Sequence, residues 1–408
     1  MAPLSIALVC FANMFSVGTI YALSALQGQL PRLVGISEAW SFVPFGMACM
    51  GLSMGVATCA SMIAQRGAYA TAASGTTLWG LAVIGAGFFL SRVNFEPMLL
   101  CFLLGGLGVG WTYLAVVVMV GRAFPNLALA RSAIGPMGFS SGAATCFFLS
   151  SIFELSIVDA EILGRALTRA GVAFIAVGGA TQLMMIPGYT INDQSNSPKN
   201  TPLSRRERFL SILLFFNALP GMTAFAALLP LVSYYASERQ GDSMTLLSYS
   251  MLALASGGVL APTINLHLGA RNAFVVLFCV RGAFLVLLSQ FEQSTLGLCA
   301  FLTILFAHGT GFSILPGLVK AKGIPSELFH HSYGRILVTW GVVGILGCVL
   351  NTAISSSIGT MSVASLVLGL LMLSFGIVLY FVPTPKVGFL PSWVSAEYLQ
   401  QIGRLAES

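Results

Sequence analysis

The chain has 408 residues, of which 57% are hydrophobic and only 8% are charged. A soluble domain carries about 25% charged residues because its surface must be wetted, so this composition excludes a water-soluble protein. The net charge of +6 does not indicate nucleic-acid binding, since the one basic cluster is the short run from Arg205 to Arg208. The eight cysteines lie in apolar runs without CxxC spacing and indicate neither a disulfide framework nor a metal site.

The apolar segments predict transmembrane helices, because each is close to the about 20 residues that a helix needs to cross a bilayer. The first run begins almost at Met1 without a charged n-region, which favours a first span over a cleaved signal peptide. Twelve spans are predicted: residues 3–30, 42–63, 70–90, 98–120, 130–150, 170–187, 209–235, 244–267, 273–290, 296–318, 332–355 and 361–382. The uncharged runs are longer than the alternating segments of about ten residues that build a membrane β-barrel.

The polar stretch 188–208 divides the chain near its middle. We therefore predict an all-α membrane protein with an N-terminal six-helix bundle (1–187), a cytosolic linker (188–208), a C-terminal six-helix bundle (209–382) and a cytosolic tail (383–408). With both termini in the cytosol, the opposite side holds only Arg32, Arg92, Arg165, Arg169 and Arg239, and Arg281 lies within a span. Every other Lys and Arg is then cytosolic, which is the usual orientation signal.

Glycine spacing suggests that the two halves are repeats of each other. Gly67-Ala68 follows the second predicted span, and Gly269-Ala270 follows the eighth. Gly108-x-Gly110 and Gly309-x-Gly311 occupy the same place in the fourth and tenth spans. A repeat of about 200 residues is the parallel duplication expected of a two-bundle transporter.

Several motifs resemble the major facilitator superfamily, and within it the oxalate/formate antiporter family, which is related to monocarboxylate transporters. They are Gly106-Leu-Gly-Val-Gly-Trp-Thr-Tyr113, Phe124-Pro125, Gly138-Phe-Ser-Ser-Gly142, Tyr21, Gly35-Ile-Ser37, Gly311-Phe312 and Tyr333-Gly334 with Thr339-Trp340-Gly341. The resemblance implies alternating access to a substrate held between the bundles, and a small organic anion such as a monocarboxylate as that substrate.

Two departures from the family pattern matter. The loop that usually reads Asp-Arg-x-Gly has Gln65 in place of the acid. The oxalate transporter of the family has a cation in span eight and another in span eleven, where this chain has Val259 and Trp340. Two cations suit a dianion, so their absence argues against oxalate.

Two ionisable residues within spans are candidates for the substrate pathway, because such residues are costly in a membrane. His308, in the tenth span, could donate a hydrogen bond to a carboxylate and carry a proton, or it could be a neutral histidine bonded to a neighbouring helix. Arg281, in the ninth span, could neutralise an anionic substrate, although that span is peripheral in the resembled fold and a structural partner is the alternative.

Tyr21, Tyr113 and Trp340 match aromatic or lining positions of the family and could cage a small carboxylate. Ser140, Ser141 and Asn217 could add hydrogen bonds, and helix packing is the alternative for all six residues. Glycine pairs such as Gly51 and Gly55, Gly106 and Gly110, and Gly344 and Gly347 are interpreted as close helix contacts that permit bundle motion.

The predicted function is secondary or facilitated transport of a small organic anion. The mid-span segments contain no Asp or Glu, which favours exchange or facilitated transport over carboxylate-driven proton symport. A neutral solute such as an amino acid or polyol, and a non-transporting receptor with a transporter fold, are the alternatives. Gly138-x-Ser-x-Gly142 lacks the strand-turn-helix context of a nucleophile elbow, so we expect no enzyme activity, no cofactor and no metal. The expected partners are the substrate and the lipid bilayer.

Overall fold

A computed structural model describes residues 3–27, 29–37, 40–152, 159–184, 202–238, 243–291, 294–321, 328–357 and 361–381. These residues form helices and connecting turns, with no strand among them. The helices are α1 Pro3–Gly18, α2 Leu23–Gln27, α3 Leu30–Val34, α4 Val43–Leu90, α5 Phe95–Ala123, α6 Ala128–Ser132, α7 Gly138–Ile152, α8 Ala160–Leu183, α9 Arg205–Glu238, α10 Ser243–Phe291, α11 Thr295–Ala321, α12 Phe329–Ser357 and α13 Met361–Phe381. A 3-10 turn, Thr19–Ala22, joins α1 to α2, and a π-helical turn, Ala133–Met137, joins α6 to α7.

The helices account for twelve membrane crossings. Eight helices in the described part of the chain are long and apolar enough to span a bilayer. Two of them, α4 with 48 residues and α10 with 49, are long enough for two crossings each at about 20 residues per span. The 34 residues of α9 and the continuous run from α6 through the π-helical turn to α7 supply the remaining two. The tail 383–408 and most of the predicted linker lie outside the described residues.

A glycine turns the chain back in the middle of each double-length helix. Gly67 within α4 has φ 80° and Gly269 within α10 has φ 72°. Glycine adopts this left-handed region readily because it has no Cβ, and the two positions are the ones that sequence spacing predicted to be equivalent. Each glycine therefore separates two crossings with almost no loop, and the same device occurs in both halves.

A buried hydrogen-bond network connects the helices of the N-terminal half. Asn13 on α1 donates to the Thr181 hydroxyl on α8 at 2.7 Å and accepts from Thr76 on α4 at 2.6 Å. Thr76 in turn lies 3.2 Å from Thr112 on α5. In the same half, the Trp79 indole donates to the Ser16 carbonyl at 3.1 Å. These hydrogen bonds satisfy polar groups that would otherwise be costly in an apolar interior.

The C-terminal half has a corresponding hydrogen-bond network, in which the guanidinium of Arg281 takes the place of the Trp79 indole. Arg281 is 0% exposed and donates to the Asn217 carbonyl at 2.6 Å and to Asn217 Oδ1 at 3.1 Å. His308 Nδ1 lies 3.3 Å from the same carbonyl. At the repeat spacing of about 200 residues, Asn217 corresponds to Asn13 and Arg281 corresponds to Trp79. No salt bridge reaches Arg281 from the described residues.

The two halves meet along two seams. The first half of α4 packs against α12, where Ser53 donates to the Val338 carbonyl at 2.9 Å. At the other seam α7 packs against α10, and Ser248 donates to the Ala144 carbonyl at 3.0 Å. A Cβ on Gly341 would collide with Ser53 and Cys49 of the opposite half. The α4–α12 contact is therefore too close for any residue but glycine at that position.

The predicted glycine pairs do mark close helix contacts, but most of those contacts lie inside one half. Gly51 and Gly55 on α4 pack against Gly106 and Gly110 on α5. Both helices belong to the N-terminal half, so these glycines bring together helices of the same bundle. Gly344 on α12 is different, because it packs against Cys49 across the interface between halves.

Candidate functional site

A cavity of about 160 Å³ lies between the two halves. The N-terminal wall comes from α5, the turn after it, α6 and the π-helical turn, and the C-terminal wall comes from α10, α11 and the start of α12. Most lining residues are apolar, and four of them are prolines: Pro125, Pro136, Pro262 and Pro316. Of the lining residues that the structure describes, the polar ones are Tyr113, Arg131, Asn265, Ser313 and Lys320. An apolar chamber with a few convergent polar groups is the usual form of a small-molecule site.

Two cations from opposite halves stand at one end of this cavity, which we call the basic end. Arg131 on α6 lies in the N-terminal half, and Lys320 on α11 lies in the C-terminal half. The charges of Arg131 and Arg122 both act on Lys320. Lys320 Nζ also lies 5.1 Å from the centre of the Phe329 ring, a cation–π contact.

The local structure explains how Arg131 is placed. α5 ends at Ala123, and the Phe124-Pro125 turn follows it because proline lacks the N–H that a helix would need. The Arg131 guanidinium donates back to the carbonyls of Phe124 and Pro125. The Phe-Pro loop recognised in the sequence thus holds a cation at the basic end.

Away from the basic end, aromatic rings from five helical segments form a contiguous cluster. Tyr113 packs edge-on against Trp340 at 5.0 Å between ring centres and against Phe139 at 5.7 Å. Tyr21 contacts Phe139 at 5.1 Å, and Phe312 contacts Trp340 at 5.0 Å. Such edge-to-face pairs are the favoured aromatic geometry. Tyr113 and Phe312 also line the cavity, so this cluster forms one of its walls.

The three aromatic residues selected from sequence therefore lie together. Tyr21, Tyr113 and Trp340 are each at most 3% exposed. The Trp340 indole nitrogen is buried without a hydrogen bond of good geometry, although the Tyr21 hydroxyl approaches it. Of these three, Tyr113 lines the cavity, and Tyr21 and Trp340 belong to the aromatic cluster without lining it.

Ser140, Arg281 and His308 do not line the cavity. The Ser140 hydroxyl donates to the Pro136 carbonyl one turn earlier at 3.0 Å. Arg281 is held inside the C-terminal half by Asn217. His308 lies one layer behind the cavity wall, with its ring 4.9 Å from that of Phe312.

Sequence reasoning missed Lys320, Asn265 and Ser313 as lining residues and counted Arg131 only for orientation. Pro262 lies on the same helix as Asn265, and Pro316 lies on the same helix as Ser313 and Lys320. These prolines were the sequence signal for a cavity, because a proline within a membrane helix is tolerated where neighbouring groups or a cavity satisfy the freed backbone.

The arrangement of helices is that of the major facilitator superfamily transporters. The nucleoside transporter NupG matches with a TM-score of 0.66 and 13% identity, over 92% of this chain and 98% of NupG. FucP in its outward conformation matches with a TM-score of 0.65 and 16% identity, over 93% of this chain and all of that one. A second structure, of the E. coli fucose:proton symporter FucP, gives 0.65 and 14% over the same share.

No protein-family model and no curated protein sequence matches the chain. At 13–16% identity the structural matches establish the fold alone. The narrower resemblance to oxalate/formate antiporters stays a prediction.

Proposed function

We propose that the protein is a secondary transporter that exchanges small organic anions by alternating access. The observation that carries this proposal is the cavity between the halves, in which an aromatic wall faces two cations, Arg131 and Lys320, contributed by opposite halves. The fold supports alternating access, since transporters of this architecture rock two bundles about a central site. The predicted orientation places the basic end in the cytosol.

Charge supports an anionic substrate. Arg131 and Lys320 line the cavity, Arg122 acts on Lys320, and no acidic side chain is among the described lining residues. Two cations beside an apolar chamber attract an anion electrostatically. One carboxylate between them would neutralise much of their mutual repulsion.

The same cations support exchange as the mode of transport. Closing the basic end brings Arg131 and Lys320 together from opposite halves, and like charges disfavour this in the absence of an anion. A carrier that closes only when loaded must return with another anion, so uptake requires a counter-anion on the opposite side of the membrane.

A neutral solute is the second candidate, because NupG is named a nucleoside transporter and FucP a fucose:proton symporter. A sugar carries several hydroxyl groups, each of which needs a hydrogen-bond partner when it leaves water. Apart from the two cations, the described lining offers only Tyr113, Asn265 and Ser313 as polar side chains. The apolar lining therefore favours the organic anion. A receptor that has lost transport is the third candidate, and saturable uptake would exclude it.

The test is uptake of labelled formate, lactate, pyruvate and oxalate into proteoliposomes, with and without internal counter-anion. We expect saturable uptake of at least one monocarboxylate, stimulated by internal anion. Uptake of nucleosides or sugars instead, in vesicles that contain folded protein, would refute the anion proposal.

Charge variants locate the site. Lys320→Gln and Arg131→Gln are expected to raise KM for the anion at least about fivefold, since a unit charge about 4 Å away contributes about 1 kcal/mol even in water. Arg169→Gln is the matched control, because Arg169 is an exposed cation on α8 outside the cavity. Equal increases in KM for all three variants would show that Arg131 and Lys320 contribute no more to anion binding than an exposed cation outside the cavity.

A further inference from the structure

The C-terminal wall of the cavity contains polar atoms that the protein itself leaves unsatisfied. Asn265 Oδ1 on α10 and Ser313 Oγ on α11 are both buried and have no hydrogen-bond partner. Both residues line the cavity. Buried polar atoms are nearly always paired because leaving them unpaired is costly, so two such atoms on one wall point to a ligand that pairs with them.

Two prolines add backbone acceptors to the same wall. Pro262 and Pro316 lie inside α10 and α11 and have no N–H to donate. The carbonyls four residues earlier, on Gly258 and Phe312, cannot receive the usual helical hydrogen bond from these positions. Ser313 Oγ lies beside Gly258, 3.2 Å from where a Cβ on that glycine would stand. Phe312 lines the cavity, so its carbonyl adds a backbone acceptor to this wall.

The cations fix the distance between this wall and the charged group of a substrate. Lys320 follows Ser313 by two turns of α11, about 10.5 Å of helix at 1.5 Å per residue. The Lys320 ammonium lies 5.1 Å from the centre of the Phe329 ring, and both residues line the cavity. A molecule of a few carbon atoms can place a carboxylate on the cations and a second polar group on Asn265 or Ser313.

We propose that the cavity selects small hydroxycarboxylates, and that Asn265 and Ser313 are the residues that recognise the hydroxyl group. This proposal rests on the proposed function as an anion transporter. A hydroxyl donates one hydrogen bond and accepts others, so it can donate to Asn265 Oδ1 and accept from the Ser313 hydroxyl. When the carboxylate of an unsubstituted acid lies on the cations, its alkyl end leaves both atoms unpaired. An amino acid would bring an ammonium into a cavity that already holds Arg131 and Lys320.

The experiment compares four acids with the same three-carbon skeleton in proteoliposomes: propionate, lactate, 3-hydroxypropionate and alanine. The variants are Asn265→Leu, which keeps the side-chain size, and Ser313→Ala. Asn272→Leu is the matched control, because Asn272 is exposed on α10 and outside the cavity.

Wild-type protein is expected to transport the better hydroxy acid with a kcat/KM at least about tenfold above that of propionate, since a site built to bind a hydroxyl discriminates against the analogue that lacks it. Asn265→Leu or Ser313→Ala should lower kcat/KM for the hydroxy acid more than kcat/KM for propionate and so bring that ratio close to one, whereas Asn272→Leu should preserve it.

Three results would overturn the selectivity proposal: equal wild-type transport of propionate and both hydroxy acids, a preference for alanine, or variants that reduce propionate and hydroxy-acid uptake in proportion. The first and third leave anion transport itself intact. Absence of uptake for all three anions, with folded protein in the vesicles, would instead refute the proposed function on which the selectivity rests.

Discussion

Two neighbouring residues of the C-terminal half, Arg281 and Asn217, are expected to respond differently to substitution. Arg281 is fully buried and receives its described hydrogen-bond acceptors from Asn217 alone. Asn217→Leu removes the side-chain acceptor and leaves the guanidinium short of a partner. A hydrogen bond to a buried charged group contributes about 1.5–3 kcal/mol, so we expect Asn217→Leu to lower the free energy of unfolding by about that amount.

Arg281→Met has two opposing effects that nearly cancel. It leaves Asn217 Oδ1 unpaired, which costs about 1–3 kcal/mol. The Asn217 carbonyl keeps His308 Nδ1 at 3.3 Å. The substitution also removes a cation whose placement in a membrane helix costs about 2.5–3.5 kcal/mol. The free energy of unfolding should therefore change by less than about 2 kcal/mol, and the double variant should be more stable than Asn217→Leu alone.

The assay is thermal unfolding of the purified variants in one detergent, followed by anion uptake for those that fold. Arg281→Met should fold and transport, because Arg281 does not line the cavity. If Arg281→Met folds but abolishes uptake, Arg281 holds the substrate as the sequence had suggested. If it unfolds the protein while Asn217→Leu is tolerated, the electrostatic reasoning is wrong.

Three further variants test the packing, a partly buried ion pair and the histidine. Gly341→Val should lower the free energy of unfolding by about 1–3 kcal/mol or more, because the added side chain overpacks the contact. Gly179 has open space beside it, so Gly179→Val should be neutral in the same thermal-unfolding assay. Burial acts to raise the pKa of Glu207, but hydrogen bonds from Ser204 and the charge of Arg335 outweigh it and hold that pKa below its ordinary value. The Glu207–Arg335 pair thus stabilises the fold above pH about 4.3, and this contribution is lost as the pH falls through the lowered pKa of Glu207. Glu207→Gln should remove this acid-sensitive contribution to stability. An unchanged acid-unfolding curve for the variant would contradict this expectation. His308→Ala should raise KM by loosening Phe312, without altering the pH profile of uptake; an altered profile would show proton transfer, and unchanged uptake would show no pathway role.

The fold was predictable from the sequence because lipid imposes long apolar helices and because the repeat places Gly67 and Gly269 at equivalent positions. The aromatic wall was also predictable in part, since Tyr113 and Trp340 lie in motifs that resemble known transporters. The structure brings both into one cluster with Tyr21.

The charged parts of the site were harder to predict. Arg281 and His308 attract attention in a sequence because they are ionisable residues within spans, yet both lie within the C-terminal bundle. Lys320 is at a helix end, where a cation is ordinary, and only the three-dimensional meeting of α6 and α11 brings it close to Arg131. Hydropathy reports depth in the membrane and not which face of a helix meets the opposite half.

The single-glycine turns have a mechanical consequence. In α4, the segment before Gly67 packs against the opposite half and the segment after it packs against α8 of its own half. With one residue between the two segments, the connection has no slack in which a displacement could be absorbed. A shift of the first segment at the α4–α12 seam is therefore transmitted directly to the second segment and to α8. The N-terminal half then moves as one body, by a distance that is set at this seam.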